Sequence, residues 1–411
     1  MKILIYEDHN YKDLFPLNML RASYDIRCGA NTLLERIKCI VKNEHEVVLH
    51  CRNVIAPFLR ETHPSNKVNS IDKDDYLLLN GRVIFSEDLL NLILKKKEKN
   101  KCYVYKNMIA AAYISKENSI MLKEFIGNYD NVFNGKFFDG LNMTREDIDA
   151  GFALNVINYP WDILNYLLTG GLQDDMEYYL RDRKFKKALS SDNFINNKKI
   201  YIAKNVKLYP GIVLDASNGE IIIEENAVIE PFAFIKGPVF IGRNCTVKSG
   251  TKIYGPCVAG EYSKVAGEIA ESVFHAYVNK QHDGFIGHSY ICPFVNLGAD
   301  TVTSDLKNNY SEIKLGGINT GMRFLGSLIG DHSKTAINTM LNTGSRVGIF
   351  SNIFGNGFPE KEIPSFAWNE IGKNTQRYDI KKALHTARIV MERRGVIMSK
   401  NYETLVEAYY N

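Results

Sequence analysis

From residue 223 to residue 253 an aliphatic side chain returns at every sixth position: Ile223, Ile229, Ile235, Ile241, Val247 and Ile253. A second register runs two residues ahead of it, at Ile221, Ala227, Ala233, Val239, Cys245 and Thr251. A helix repeats every ~3.6 residues and a strand every ~2, so neither sustains this beat. A coil of short flat strands joined by tight turns does, and hexad repeats predict a β-helix. Strands of a β-sandwich recur at about 8–12 residues, too far apart for this pattern. The beat returns at Phe285, Ile291 and Leu297, and again at Ile329, Thr335, Leu341, Val347 and Ile353. The two interruptions, at 260–284 and 300–324, predict loops leaving the coil, where function concentrates.

Ahead of the repeat, residues 1–190 alternate strand and helix signals. KILIY (2–6), HEVVLHC (45–51) and YLLLNGRVIF (76–85) read as strands; NTLLERIKCIV (31–41) reads as an amphipathic helix. SEDLLNLILKKK (86–97) predicts a helix capped by Ser86, with acidic residues in its first turn and lysines in its last. Such alternation points to a mostly parallel α/β sheet. Residues 159–189 read as largely helical and the Asn-rich stretch 192–199 as a linker. The β-helix is expected over 200–355 and a tail over 356–411. One helix from Asp379 to about Tyr410, with a stripe of Ile380, Ala383, Leu384, Ala387, Val390 and Met391, is expected to cover the open end of the coil.

The chain has 411 residues, room for two or three domains. With 51 basic against 47 acidic residues its charge is too balanced to argue for a nucleic-acid partner. No apolar run approaches the ~20 residues of a membrane span, and MKILIYEDHN turns acidic too soon for a signal peptide. Seven scattered cysteines without a CxxC fit a reducing cytoplasm.

The densest polar segment is NKQHDGFIGHSYICPFVNLGADTVTSDLKNNYSEIKL (279–315). His282 with FIGHSYI and then VNLGADT resembles the acetyltransferase half of the bifunctional N-acetylglucosamine-1-phosphate uridyltransferase / glucosamine-1-phosphate N-acetyltransferases. Further stretches resemble a divergent family of such proteins, described mostly from Bacteroidetes-like bacteria: LFPLNMLRASYDIRCGANTLLERI (14–37), YPWDI (159–163), IGDHSKTAINTMLNTG (329–344), IPSFAW and ERRG. The resemblance implies an α/β nucleotidyltransferase-like (Rossmann-like) domain, a left-handed parallel β-helix and a helical tail, assembled as a homotrimer. It also implies acetyl-CoA as co-substrate, Mg²⁺ with a nucleoside triphosphate, and a sugar phosphate acceptor.

By that resemblance His282 is the general base. The chemistry suits it: an amino sugar is mostly ammonium near neutrality and must lose a proton to attack a thioester, and imidazole titrates in that range. Asn296 corresponds to a sugar-contacting asparagine, Phe285 stands where the better-known enzymes carry tyrosine, and Lys280 is a candidate for the sugar phosphate. Asp283 either orients the imidazole or caps the turn, and His275 and His288 compete with His282 without a family role. Asp331, Ser333 and Lys334 fall in the region that lines the pantetheine path. Asp305 replaces an asparagine near the acetyl-CoA site and Asp300 replaces a glycine. Asp305→Asn is therefore expected to leave activity intact or raise it. In the N-terminal domain the usual glycine-rich phosphate loop is missing; Arg21 and Arg27 are candidate phosphate binders, or domain-interface arginines. Asn80 ends a strand where a magnesium-binding aspartate is expected, leaving Asp8 and Asp162 as possible ligands. Two rival readings are that only one half is active, or that the chain is a sugar-nucleotide-binding scaffold.

Overall fold

The computed structural model describes residues 1–42, 44–128, 132–149, 151–181, 183–187 and 192–411. The expected domain boundary at 190 lies outside the described residues.

Among those residues the N-terminal sheet has seven strands. Its first half is parallel: β1 (Lys2–Tyr6) lies between β2 (Val47–His50) and β4 (Tyr76–Asn80), with β3 (Lys67–Val68) at the edge. Successive side chains of a strand point to opposite faces. Accordingly Ile3 and Ile5 enter one core, while Leu4 and Tyr6 enter another on the far side. The second half departs from the expected parallel order. Met108–Ile114 pairs antiparallel to β4 and returns from Lys101–Tyr105 through a tight turn. Lys106 and Asn107 both take positive φ there, 45° and 65°, the turn that closes a two-residue hairpin. Ser86 caps helix Glu87–Lys96 through the amide of Leu89, as expected. The helical stretch after Tyr159 is broken at Gly170, where φ is +98°.

The β-helix stacks short parallel strands in three sheets. Ile223 lies under Ile241, Ile229 under Val247 and Ile235 under Ile253, so one coil consumes three hexads. This is the arrangement of a left-handed parallel β-helix. The interruption at 260–284 is not a loop. Val265, Ile269, Phe274 and Val278 stay in the core, and the strands they occupy keep their partners across shortened turns. The second interruption is an excursion: Lys314–Leu315 and Ile318–Asn319 form a hairpin outside the coil.

One sheet is apolar on its outer face too. Ile222, Phe240, Val258, Val273, Tyr290 and Leu328 stack in register and join the core of the N-terminal domain. The two domains thus share a core, and 192–199 is no spacer between them. Two ion pairs and a hydrogen bond border the junction: Arg21 with Asp331, Arg27 Nη2 with Glu261 at 2.8 Å, and Tyr179 Oη donating to Glu224 at 2.6 Å.

A corner of the coil carries Tyr262, Tyr277, Phe294, His332, Phe350 and Phe366, each with φ between 56° and 60°. Their rings stack at centroid separations of 5.0, 4.9, 4.9, 4.5 and 5.4 Å, with planes within 19° of parallel. Stacking of this kind is worth about 0.5–1.5 kcal/mol per pair beyond area burial, which offsets the left-handed backbone. The tail is two helices, Ile380–Glu392 and Lys400–Tyr410, separated at Gly395 (φ 71°). Neither serves as the expected plug. The last helix runs along the ladder and against the N-terminal domain: Tyr402 Oη pairs with His332 Nε2 at 2.9 Å, its ring meets Phe58, and Tyr409 Oη accepts from Arg52 at 3.0 Å. Among the described residues no helix is long and apolar enough to cross a membrane.

Candidate functional site

Chemistry-bearing residues gather at two places, and a third, roomier cavity is at neither. That cavity, 610 Å³, lies at the domain junction, where Arg27 meets Glu261 and Arg183 meets Glu224.

The first place is the crevice beyond the carboxyl ends of β1 and β4, the usual ligand position in an open α/β sheet. It is a 370 Å³ cavity with Asp8, Asn80, Arg82, Lys106 and Arg145 in its walls. A 270 Å³ cavity holding Asp162 and Asn165 adjoins it through Lys106, Met108 and Asn158. Arg82 is almost fully buried and grips Asp8 with two parallel bonds, Nε to Oδ1 at 2.7 Å and Nη2 to Oδ2 at 2.6 Å. Asn80 Nδ2 adds a third donor to Asp8 at 2.9 Å. Asp162 accepts from the amides of Asn158 and Tyr159, 2.8 and 2.9 Å, as the cap of a helix, and burial raises its pKa. Carboxylates so engaged do not fit a resident divalent cation, and no cluster of three or more His, Cys, Asp or Glu with that capacity exists among the described residues. Arg21 and Arg27, expected as phosphate binders, lie instead at the domain junction. Arg21 donates to the Leu17 carbonyl and to Asp331; Arg27 donates to the carbonyls of Ala30 and His275 and to Glu261.

The second place is the β-helix between Lys264 and Lys334. Strand Asn279–Lys280 pairs with Lys264–Val265, and the register sets Lys280 above Val265, pointing inward. Lys280 is therefore fully buried and no surface phosphate ligand. Its ammonium donates to the carbonyls of His282 and, at 2.5 Å, Asp283, and burial pushes its pKa down to about 8. It pins from beneath the turn that carries His282. Among the described residues the exposed His282 side chain makes no hydrogen bond, so Asp283 does not orient it. Asp300, in the place of a glycine, has φ +55°, a conformation that aspartate tolerates better than most residues.

Asp305 is held by His288: Nδ1 lies 2.8 Å from Oδ2, Nε2 faces Glu271 at 3.7 Å, and the imidazole stacks on Phe324. Sequence reasoning had His288 compete with His282 without a family role; its signal was a carboxylate one coil further on. Burial raises the Glu271 pKa, and Asp305 adds to that. Phe285 flanks the same spot, close to Gly287. His275 is buried against Tyr290 Oη at 2.9 Å and burial drives its pKa well below the ordinary range. Asp331 is committed to Arg21, and Ser333 faces the core, where it donates to Gly348 O at 2.6 Å. Of the expected pantetheine residues Lys334 lines a cavity. That cavity, 340 Å³, also holds Asn296, Asn279, Lys264, Arg393 and Arg394, and Gln281, the neighbour of His282, is in its wall. Cys28, Cys51, Cys245, Cys257 and Cys292 are buried and their thiol pKa values are raised by burial, the reverse of an activated nucleophile.

Residues 3–184 match the family model described as sugar nucleotidyl transferase. A bifunctional sugar-1-phosphate nucleotidylyltransferase/acetyltransferase from Sulfurisphaera tokodaii is 30% identical over 159 residues, 33% of this chain and 40% of that protein. The bifunctional protein GlmU of Methanococcus vannielii is 26% identical over 330 residues, 71% of this chain and 74% of that one. Among solved structures, an Arabidopsis UDP-N-acetylglucosamine acyltransferase aligns with 50% of this chain and 80% of its own, at 12% identity and a TM-score of 0.23. The N-terminal domain thus matches the sugar nucleotidyl transferase family, and along most of its length the chain is similar to bifunctional transferases.

Proposed function

We propose that the protein is an amino-sugar-phosphate N-acetyltransferase whose N-terminal domain handles the nucleotide sugar, as in a divergent, Bacteroidetes-type form of the bifunctional enzymes. The observation that carries the reading is His282: an exposed imidazole on a turn anchored by buried Lys280, beside a cavity containing Asn296 and four cationic side chains. The acceptor is glucosamine-1-phosphate. His282 takes a proton from its ammonium, the freed amine attacks the acetyl-CoA carbonyl carbon, the C–S bond breaks and CoA leaves as the thiol after protonation. Asn296 contacts the sugar, Lys334 faces its phosphate or the coenzyme, and no acyl-enzyme forms. The product is joined to UTP with release of pyrophosphate. Any Mg²⁺ would be held by the triphosphate itself, since Asp8 and Asp162 are already engaged. A homotrimer, with acetyl-CoA entering between subunits, completes the reading.

The bond from Arg82 to Asp8 favours a second reading of the N-terminal half, in which it binds a nucleotide sugar without transferring the nucleotidyl group. The pair of His288 and Asp305 offers a rival base. Comparing His282→Ala with His288→Ala in a CoA-release assay separates the two histidines. A general base contributes about 10²–10⁴-fold, so His282→Ala should lose at least 100-fold and His288→Ala far less. The opposite ranking would reject His282.

A further inference from the structure

Beyond the end of helix Ile380–Glu392 the chain lays Arg393 and Arg394 against the outer face of the β-helix. Lys264, Asn279, Asn296 and Lys334 face them, and the six side chains surround the 340 Å³ cavity. Among the described residues no carboxylate lines it, and none of the four cations is in an ion pair. They lean on neutral groups instead. Arg394 Nη2 donates to Asn279 Oδ1 at 2.9 Å, and Asn279 Nδ2 donates to Asn296 Oδ1 at 2.7 Å. Lys334 Nζ donates to the His332 carbonyl at 2.8 Å, and Lys264 Nζ is 3.4 Å from Gln281 Oε1. The carboxylate felt by Lys264, Glu230, is held by Lys248 and Ser249. Burial lowers the pKa of Lys264, Lys334 and Arg394, and the arginines add repulsion on Lys264.

Like charges converging in a partly dehydrated cavity repel unless an anion joins them. Guanidinium forks and ammonium groups together are the side chains that recognise a phosphate. We propose that this cavity is a phosphate-binding site: Arg393 and Arg394 close from the tail onto a phosphomonoester seated on Lys264, Lys334 and the Asn279–Asn296 pair. The tail thereby completes a site on the β-helix. The phosphate belongs either to the sugar acceptor or to the coenzyme; Gln281 in the wall, next to His282, suits the acceptor. This identity rests on the acetyltransferase reading, whereas the anion site does not.

The test is isothermal titration of the full chain, the double variant Arg393→Gln/Arg394→Gln and the single variant Lys264→Gln. The probes are glucosamine-1-phosphate, glucosamine, inorganic phosphate and CoA. Both variants should weaken glucosamine-1-phosphate at least tenfold and inorganic phosphate in parallel, with glucosamine unchanged. A loss confined to CoA and inorganic phosphate would assign the site to the coenzyme. Lys264→Gln sits on the coil, so it tests the site even if the tail variant fails to dock. Dissociation constants within twofold of wild type for every phosphate-bearing probe would overturn the proposal. Wild-type phosphate binding without CoA release would reject the acetyltransferase reading and leave the site standing.

Discussion

Lys280, inside the β-helix, donates from its ammonium to the backbone carbonyl of His282. The residue expected to bind substrate thus supports the residue expected to do chemistry. A methylene stem can fill the core, but nothing apolar can hold the carbonyls of His282 and Asp283. Lys280→Met should therefore lower kcat more than tenfold with KM nearly unchanged, in a protein that still folds. Unchanged kcat would show that the turn holds itself.

The same lysine predicts a pH dependence. Burial pulls its pKa from 10.5 to about 8. Below pH 8 it is charged in both folded and unfolded chains, and the full cost of burying the cation is present. Between pH 8 and 10.5 the native state releases the proton while the unfolded chain keeps it, so stability rises with pH. A shift of about 2.5 units corresponds to about 3 kcal/mol. Urea unfolding of wild type and Lys280→Met across that window should show the difference move by about this amount in favour of wild type. A flat difference would contradict it.

Arg21 and Asp331 predict how the domains are held. Removing one partner of a buried ion pair costs about 3–5 kcal/mol, because the other charge is stranded. Asp331→Ala should destabilise by that much, and Arg21→Met with Asp331→Ala should recover part of it. A double-mutant cycle measures the coupling; additivity within ~0.5 kcal/mol would show the pair to be idle.

The repeat made the β-helix legible, since an aliphatic side chain at every sixth position has one structural outlet. Lys280 was misread because the coil there is shortened: Val265 to Lys280 is closer than a full three hexads, and the in-facing register slips with it. Arg21 and Arg27 were open in the sequence to both phosphate and interface roles, and only their partners more than 200 residues away decide between them. The ring ladder was visible as one aromatic per coil just before an inward residue, but period-six reading follows the core and passes over corners. The tail helix broke where glycine offered left-handed backbone, and its place along the flank follows from Tyr402 and Tyr409, whose partners lie in two different domains.

Asp305 separates the two histidines. Its carboxylate lies 2.8 Å from His288 Nδ1 and so orients that imidazole, not the one of His282. With His282 as base, Asp305→Asn should leave CoA release within threefold of wild type. A tenfold loss would transfer the proton to His288.

The central claim is two independent sites in one chain, with His282 serving one of them. Its most direct test is a paired assay on wild type and His282→Ala. One arm follows CoA release from acetyl-CoA with glucosamine-1-phosphate, and the other follows pyrophosphate release from UTP with N-acetylglucosamine-1-phosphate. The account predicts that CoA release falls at least 100-fold in the variant while the second arm is unchanged. CoA release that survives in His282→Ala, or is absent from wild type, would contradict it.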